Sequence, residues 1–163
     1  METWKIREIK AEDNQQVKEV VQSVLVEMGV PKIGTAYEDK ALDDMTGTYQ
    51  GNRRIYFVVE EGGNIIGCAG IAPLNGMEAE ICELQKMYFL PEARGRGIGS
   101  EMMKTCLDFA REKAFKKCYI ETLPYMESAR KLYKRTGFEN IEKPLGDTGH
   151  YNCTVYLIKD LLT

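Results

Sequence analysis

The stretch PEARGRGIGSEMMKTCLDFARE, residues 91–112, sets three alternating glycines, Gly95, Gly97 and Gly99, directly against a helical pattern. Glycine loses more conformational entropy on folding than any other residue, so three together need a reason. The turn that opens a helix exposes backbone N–H groups without partners inside the helix. The helix dipole adds partial positive charge there. Such an end holds anions, phosphates above all. Residues without a Cβ let a phosphate approach the amides, and Arg94 and Arg96 add charge. The stretch therefore reads as a diphosphate cradle, with a tightly packed turn as the plain alternative. A Walker A loop would need a Lys-Ser/Thr pair after the glycines, and none follows. A Rossmann fingerprint needs G-x-G-x-x-G straight after a strand, whereas the spacing here is G-x-G-x-G, mid-chain, behind PEAR.

Working outward, Trp4, Ile6 and Ile9 mark a first strand. Asp13 is placed to cap a helix with Val17, Val20, Val21, Val24, Leu25 and Met28 on its stripe, ended by Gly29 and Pro31. VPKIGTAYED reads as a loop and EDKALDDMTGTY as a short acidic helix. RRIYFVVEEGGNIIGCAGIAPL is a hairpin turning at Gly62-Gly63. AEICELQKMYFL is a further strand closed by Pro91, and residues 98–114 form a helix. KKCYIETL is a strand, MESARKLYKRT a helix capped by Gly137, GFENIE a short strand or turn, and YNCTVYLIKD the last strand. This order implies one layered α/β or α+β domain over residues 1–163.

Composition narrows the function. A chain of 163 residues with 44% hydrophobic and 29% charged residues is ordinary for a globular protein. Its net charge of -3 argues against nucleic acid as a partner. No apolar run approaches the roughly 20 residues of a membrane helix, and the charged N-terminus does not read as a secretory signal. The cytoplasm is the expected compartment. Five widely spaced cysteines, Cys68, Cys82, Cys106, Cys118 and Cys153, read as reduced thiols. With a single histidine, they lack zinc-ligand spacing, so no metal is expected.

ELQKMYFLPEARGRGIGSEMM resembles the acetyl-CoA-binding core of the GNAT N-acetyltransferase superfamily, whose [Q/R]-x-x-G-x-[G/A] signature is met by Arg94, Gly97 and Gly99. ARKLYKRTGF resembles the family's second cofactor motif at Ala129, Leu132, Tyr133, Gly137 and Phe138. The resemblance implies a GNAT-like α/β (α+β) fold. Its central sheet is mixed, mostly antiparallel and twisted, with six to seven strands, about four flanking helices and a splay between the fourth and fifth strands. It implies acetyl-CoA as co-substrate, with its diphosphate on the amides of Gly95, Arg96, Gly97, Ile98, Gly99 and Ser100. It also implies a pantetheine arm along Met87, Tyr88 and Phe89, with Ser128 beside it.

Acetylating an amine requires that the amine lose a proton. The resemblance implies Glu83 as general base, the Met87 amide as oxyanion donor and Tyr133 as general acid toward the leaving thiolate. Period two along CELQKMYFL puts Glu83, Gln85, Met87 and Phe89 on one face and Leu84, Lys86, Tyr88 and Leu90 on the other. Both faces mix polar and apolar residues, so alternation does not choose the active-site side; the family correspondence does. His150, on the loop before the last strand, is a candidate for the acceptor site. Glu27, Asp39, Asp43 and Asp44, with Tyr37 and Tyr49, are candidates to attract a cationic amine, the plain reading being a solvated acidic helix. The expected partner is a small-molecule or peptide amine, neither nucleic acid nor membrane, with a homodimer left open. Two classes stand side by side: a direct-transfer N-acetyltransferase, and a non-catalytic acetyl-CoA-binding module that senses or regulates.

Overall fold

The computed structural model describes residues 3–33 and 35–162. Seven strands form one sheet: β1 (Trp4–Glu8), β2 (Ile55–Glu61), β3 (Asn64–Pro73), β4 (Ile81–Phe89), β5 (Lys117–Thr122), β6 (Glu139–Ile141) and β7 (Val155–Asp160). Four helices flank it: α1 (Asn14–Glu27), α2 (Met45–Thr48), α3 (Ile98–Glu112) and α4 (Glu127–Thr136). Across the sheet the order is β1-β2-β3-β4-β5-β7-β6. Every neighbouring pair is antiparallel except β4 and β5, which run parallel because α3 carries the chain back between them. This is the mixed, mostly antiparallel architecture expected.

Each element has a local cause. The hairpin turns at Gly62 and Gly63, both at positive φ, as a two-residue turn matched to strand twist requires. In β2, Val58 and Val59 are both fully buried on opposite faces: Val58 packs with α1 and Val59 with α3. The sheet centre is therefore covered on both sides, with one core toward α3 and α4 and a second toward α1 and α2. Asp13 does stand at the N-cap of α1, but its carboxylate serves elsewhere. It accepts from the Lys10 amide at 2.8 Å and from both Nη atoms of Arg7 at 2.8 and 3.0 Å. The acidic segment expected as one helix divides into a 3-10 turn (Lys40–Asp43) and the single turn α2, with Asp44 capping the Gly47 amide at 3.0 Å.

The decisive irregularity lies in β4. It pairs with β5 only at Ile81↔Lys117, Cys82↔Cys118 and Glu83↔Tyr119. Beyond Glu83 the two strands part. On its other edge the β3 register shifts between Cys68 and Gly70, opposite Lys86, which sits at φ 47. That is a β-bulge, with one side chain forced into the left-handed region. The Tyr56 hydroxyl donates to the Lys86 carbonyl at 2.7 Å and fixes the bulge. The bulge corrects the simple alternation. Cys82 and Leu84 face the α3 core, but so do Met87 and Phe89, while Tyr88 faces the α1 core. Met87 thus does not share a face with Glu83.

Gly70 makes this junction possible. A Cβ there would stand 2.4 Å from Tyr56 Cδ1 and 2.8 Å from the Ile55 carbonyl oxygen, and backbone cannot step aside. We expect Gly70→Ala to cost about 1–3 kcal/mol in a urea titration, the usual range for overpacking. An unchanged midpoint would mean that Tyr56 is not wedged against β3.

Candidate active site

The divergence of β4 and β5 opens a groove of about 550 Å³. One end is the glycine turn. Gly95 and Gly97 take φ of 72 and 78, and a Cβ on either would meet only open space. Gly97 is the N-cap of α3, so the amides of Ile98, Gly99 and Ser100 face outward without helix partners. The pattern fits an anion cradle that side chains would fill. The two arginines behave differently from the expectation that they lend free charge. Arg94 grips Glu27 at 2.8 and 2.9 Å, and Arg96 grips Glu61 at 2.6 and 3.0 Å. The open amides and the helix end therefore carry most of the turn's attraction for an anion.

From the turn, the groove passes Phe89, Tyr88 and Met87 on one bank and Ser128, Ala129 and Leu132 of α4 on the other. Because the β4–β5 ladder stops at Glu83, no strand pairs with the β5-facing edge of residues 84–89. That edge can pair with a ligand. At the far end Met87, Tyr88 and Met126 also line a small cavity of about 50 Å³, so groove and cavity meet there.

Glu83 lies in that cavity and is 6% exposed. Gln85 Nε2 donates to its Oε1 at 2.6 Å, and the Tyr49 hydroxyl donates to Gln85 Oε1 at 2.5 Å. No hydrogen bond reaches the other Glu83 oxygen among the described residues. Burial pushes its carboxyl up to about 7, with the Gln85 hydrogen bond only partly opposing. Tyr133, on α4, lines the same cavity at 5% exposure, its hydroxyl without a hydrogen bond among the described residues. Burial raises its pKa, so the phenol keeps its proton.

His150 joins them from the C-terminal loop. Its Nε2 lies 2.8 Å from Asp39 Oδ2, and Lys86 Nζ lies 2.8 Å from the same oxygen. Burial acts to raise the Asp39 carboxyl, yet the His150 hydrogen bond and the Lys86 charge together hold it below its usual range. Of the acidic candidates, only Asp39 stands here. Glu27 is spent on Arg94, outside the residues that line the cavity, Asp43 pairs with Lys18 at 2.6 Å, and Asp44 caps α2. Tyr37 also lies apart, its ring 5.1 Å from the Lys32 ammonium. Three charged or amide side chains of the cavity escaped sequence reasoning as site residues: Gln85, Lys86 and Glu121. Gln85 shares the Glu83 face by simple alternation, which was the available signal. Lys86 reaches the cavity through the bulge, and Glu121 through the register of β5, neither of which has a sequence mark.

Comparisons with known proteins show the family and the fold. The model of the Acetyltransferase (GNAT) family matches residues 21–138.

The chain belongs to the GNAT acetyltransferase family.

Uncharacterized N-acetyltransferase YjgM of Escherichia coli K12 is 40% identical over 157 residues, covering 96% of this chain and 94% of that protein. The GNAT-family acetyltransferase of Staphylococcus aureus Mu50 superposes with a TM-score of 0.84 at 19% identity, over 97% of this chain and 99% of its own. The structure of yncA from Salmonella typhimurium, solved with its cofactor acetyl-CoA, superposes at 0.77 and 16% identity, over 98% and 95%. The GNAT chain is thus an acyltransferase of the N-acetyltransferase kind, which decides against the non-catalytic module. No helix among its described residues is long and apolar enough to cross a membrane.

The burial of Glu83 has a measurable cost. An unfolded glutamate titrates near about 4.3, the folded one at about 7. The folded state therefore holds this proton longer. The contribution is fully present below about pH 4.3 and is lost as pH rises through 7, by about 3–4 kcal/mol in all. Glu83→Gln removes the titration. We expect the variant to gain about 3–4 kcal/mol over the parent at pH 8.5 and little at pH 4, by urea denaturation. An equal gap at both pH values would mean that Glu83 is not desolvated.

Proposed function

We propose that this GNAT chain, acting as one catalytic domain, transfers the acetyl group of acetyl-CoA directly to a primary amine. The observation that carries the reading is the meeting of the groove with a cavity holding Glu83 and Tyr133. Acetyl-CoA supplies a thioester, an acyl group already activated toward amines. The amides from Gly95 to Ser100 hold its diphosphate, and the unpaired edge of Met87, Tyr88 and Phe89 takes the pantetheine arm by main-chain hydrogen bonds, with Ser128 opposite.

The amine arrives as an ammonium and cannot attack until it loses a proton. Glu83 accepts that proton. A carboxyl near 7 is a far stronger base than an ordinary glutamate and is still largely ionised just above neutrality. The Met87 N–H, at the bulge, donates to the carbonyl oxygen as negative charge grows there. Tyr133 donates toward the departing sulfur. Its own proton is held tightly, but the same desolvation raises the proton affinity of a buried thiolate, so the transfer is less uphill than aqueous values suggest. Tyr49 and Gln85 keep the Glu83 carboxylate in place.

Release of free thiol from acetyl-CoA across a panel of primary amines tests the reading directly. With an amine that turns over, Tyr133→Phe keeps the ring and removes the donor. The kcat should drop about 10²–10⁴-fold, with CoA affinity nearly intact; a change of only a few-fold would reduce Tyr133 to a packing residue. At the other end, Gly97→Ala places a Cβ in open space in the cradle, at the modest cost of a left-handed alanine. Calorimetry should record CoA binding at least tenfold weaker with the fold retained. Undiminished binding by a folded Gly97→Ala protein would remove the diphosphate from this turn.

A further inference from the structure

The charges around the acceptor cavity do not balance. Glu83 and Glu121 line it, one on each strand of the opening, together with Lys86 and His150. The Lys86 ammonium, its side chain only 7% exposed, is committed to Asp39 at 2.8 Å, and His150 binds the same carboxylate. Glu83 and Glu121 have only neutral hydrogen-bond partners among the described residues. Gln85 serves Glu83, while Tyr119 Oη at 2.6 Å and Thr148 Oγ1 serve Glu121. Three carboxylates, counting Asp39, thus face one ammonium and one imidazole. Glu83, a residue only 6% exposed, lines the cavity, and one of its oxygens has no hydrogen-bond partner among the described residues. A carboxylate withdrawn from water without a counter-cation is costly. A cationic ligand would complete the pairing.

The register places the two carboxylates. Glu83 pairs with Tyr119, and Glu121 lies two residues further along β5 on the Tyr119 face. That is about 7 Å along β5, which lies one strand spacing from Glu83 at Tyr119 and then parts from β4. A single ammonium cannot satisfy both well, but a ligand with two cations a few carbons apart can.

Building on the N-acetyltransferase reading, we infer that the acceptor is a dicationic amine: one amino group meets Glu83 and is acetylated, and Glu121 seats a second cationic group. Glu121 is then a specificity-determining residue. Lys86, neutralised by Asp39, offers no seat for an acceptor carboxylate.

The test uses α,ω-diamines of three to five carbons against isosteric monoamines, each diamine matched by the amine with a methyl in place of one ammonium. 4-Aminobutan-1-ol and 4-aminobutanoate supply a neutral and an anionic end. Thiol release should give a kcat/KM for 1,4-diaminobutane at least tenfold above 1-aminopentane, with the alcohol between and 4-aminobutanoate last. Glu121→Gln should bring the diamine-to-monoamine ratio to about one, mainly through KM. A ratio near one in the parent, a ratio that survives Glu121→Gln, or a preference for 4-aminobutanoate would each overturn the inference. If Glu121 merely pins the loop through Thr148, diamine and monoamine fall together and the ratio survives. Calorimetry of the CoA-saturated protein with 1,4-diaminobutane needs no turnover, and its Kd should weaken at least tenfold in Glu121→Gln; an unchanged Kd overturns the seat. Monoamines acetylated as well as diamines would sink this inference alone, whereas no thiol release from any amine would sink the N-acetyltransferase reading and leave calorimetry to decide the seat.

Discussion

The separation of β4 from β5 after a ladder of three residue pairs is the constraint on which the rest depends. Two strands of nine and six residues would ordinarily zip further, because each added pair satisfies main-chain donors and acceptors. Here the β4 bulge bends the strand away, and the Tyr56 hydroxyl holds the Lys86 carbonyl in that bent form. The consequence is an unsatisfied strand edge inside the protein, next to a helix start with open amides. Both are unmet polar surfaces, and the proposed placement of acetyl-CoA uses both, its amide-rich arm on the strand edge and its diphosphate on the helix start.

Electrostatics around the opening follow a division of labour. Outside it, charges are closed in pairs: Arg94 with Glu27, Arg96 with Glu61, Arg7 with Asp13 and Glu60. The half-exposed pairs of Arg94 and Arg96 contribute little stability, but they tie α1 and β2 to the glycine turn. Inside, Glu83 and Glu121 are left with neutral partners. Burial of Glu83 makes the fold less stable near neutral pH; in the reaction proposed above, that cost yields a basic carboxylate, a common trade between stability and activity.

The two cores explain why this arrangement is rigid. Helices α3 and α4 cover one face of the sheet and α1 the other, so the central strands are buried on both sides. The same packing that clamps β3 and β4 raises the thiols of Cys106 and Cys118 well above their ordinary values by burial, and all five cysteines are free and buried. They act as small apolar residues.

By itself the sequence determined the elements and the glycine turn against the start of α3. Glycine spacing against a helical pattern, the Gly62-Gly63 turn and the stripe on α1 are local signals, because turn dihedrals and helix periodicity are written in neighbouring residues. Tyr133 was legible through the local ARKLYKRTGF pattern, Glu83 only through the family correspondence and His150 only through its place on the loop before the last strand. Tertiary structure alone decided which of them meet. Asp39, Lys86 and His150 converge from three distant segments, and Glu121 reaches the cavity through a parallel pairing that no neighbouring residue encodes. The alternation along β4 misplaced Met87 because a bulge adds one residue to one strand only. That event is set by the partner strand, by Gly70 and by a tyrosine hydroxyl on β2. The pairing of Arg94 with Glu27, and hence the loss of Glu27 from the acceptor side, likewise comes from contacts 67 residues apart.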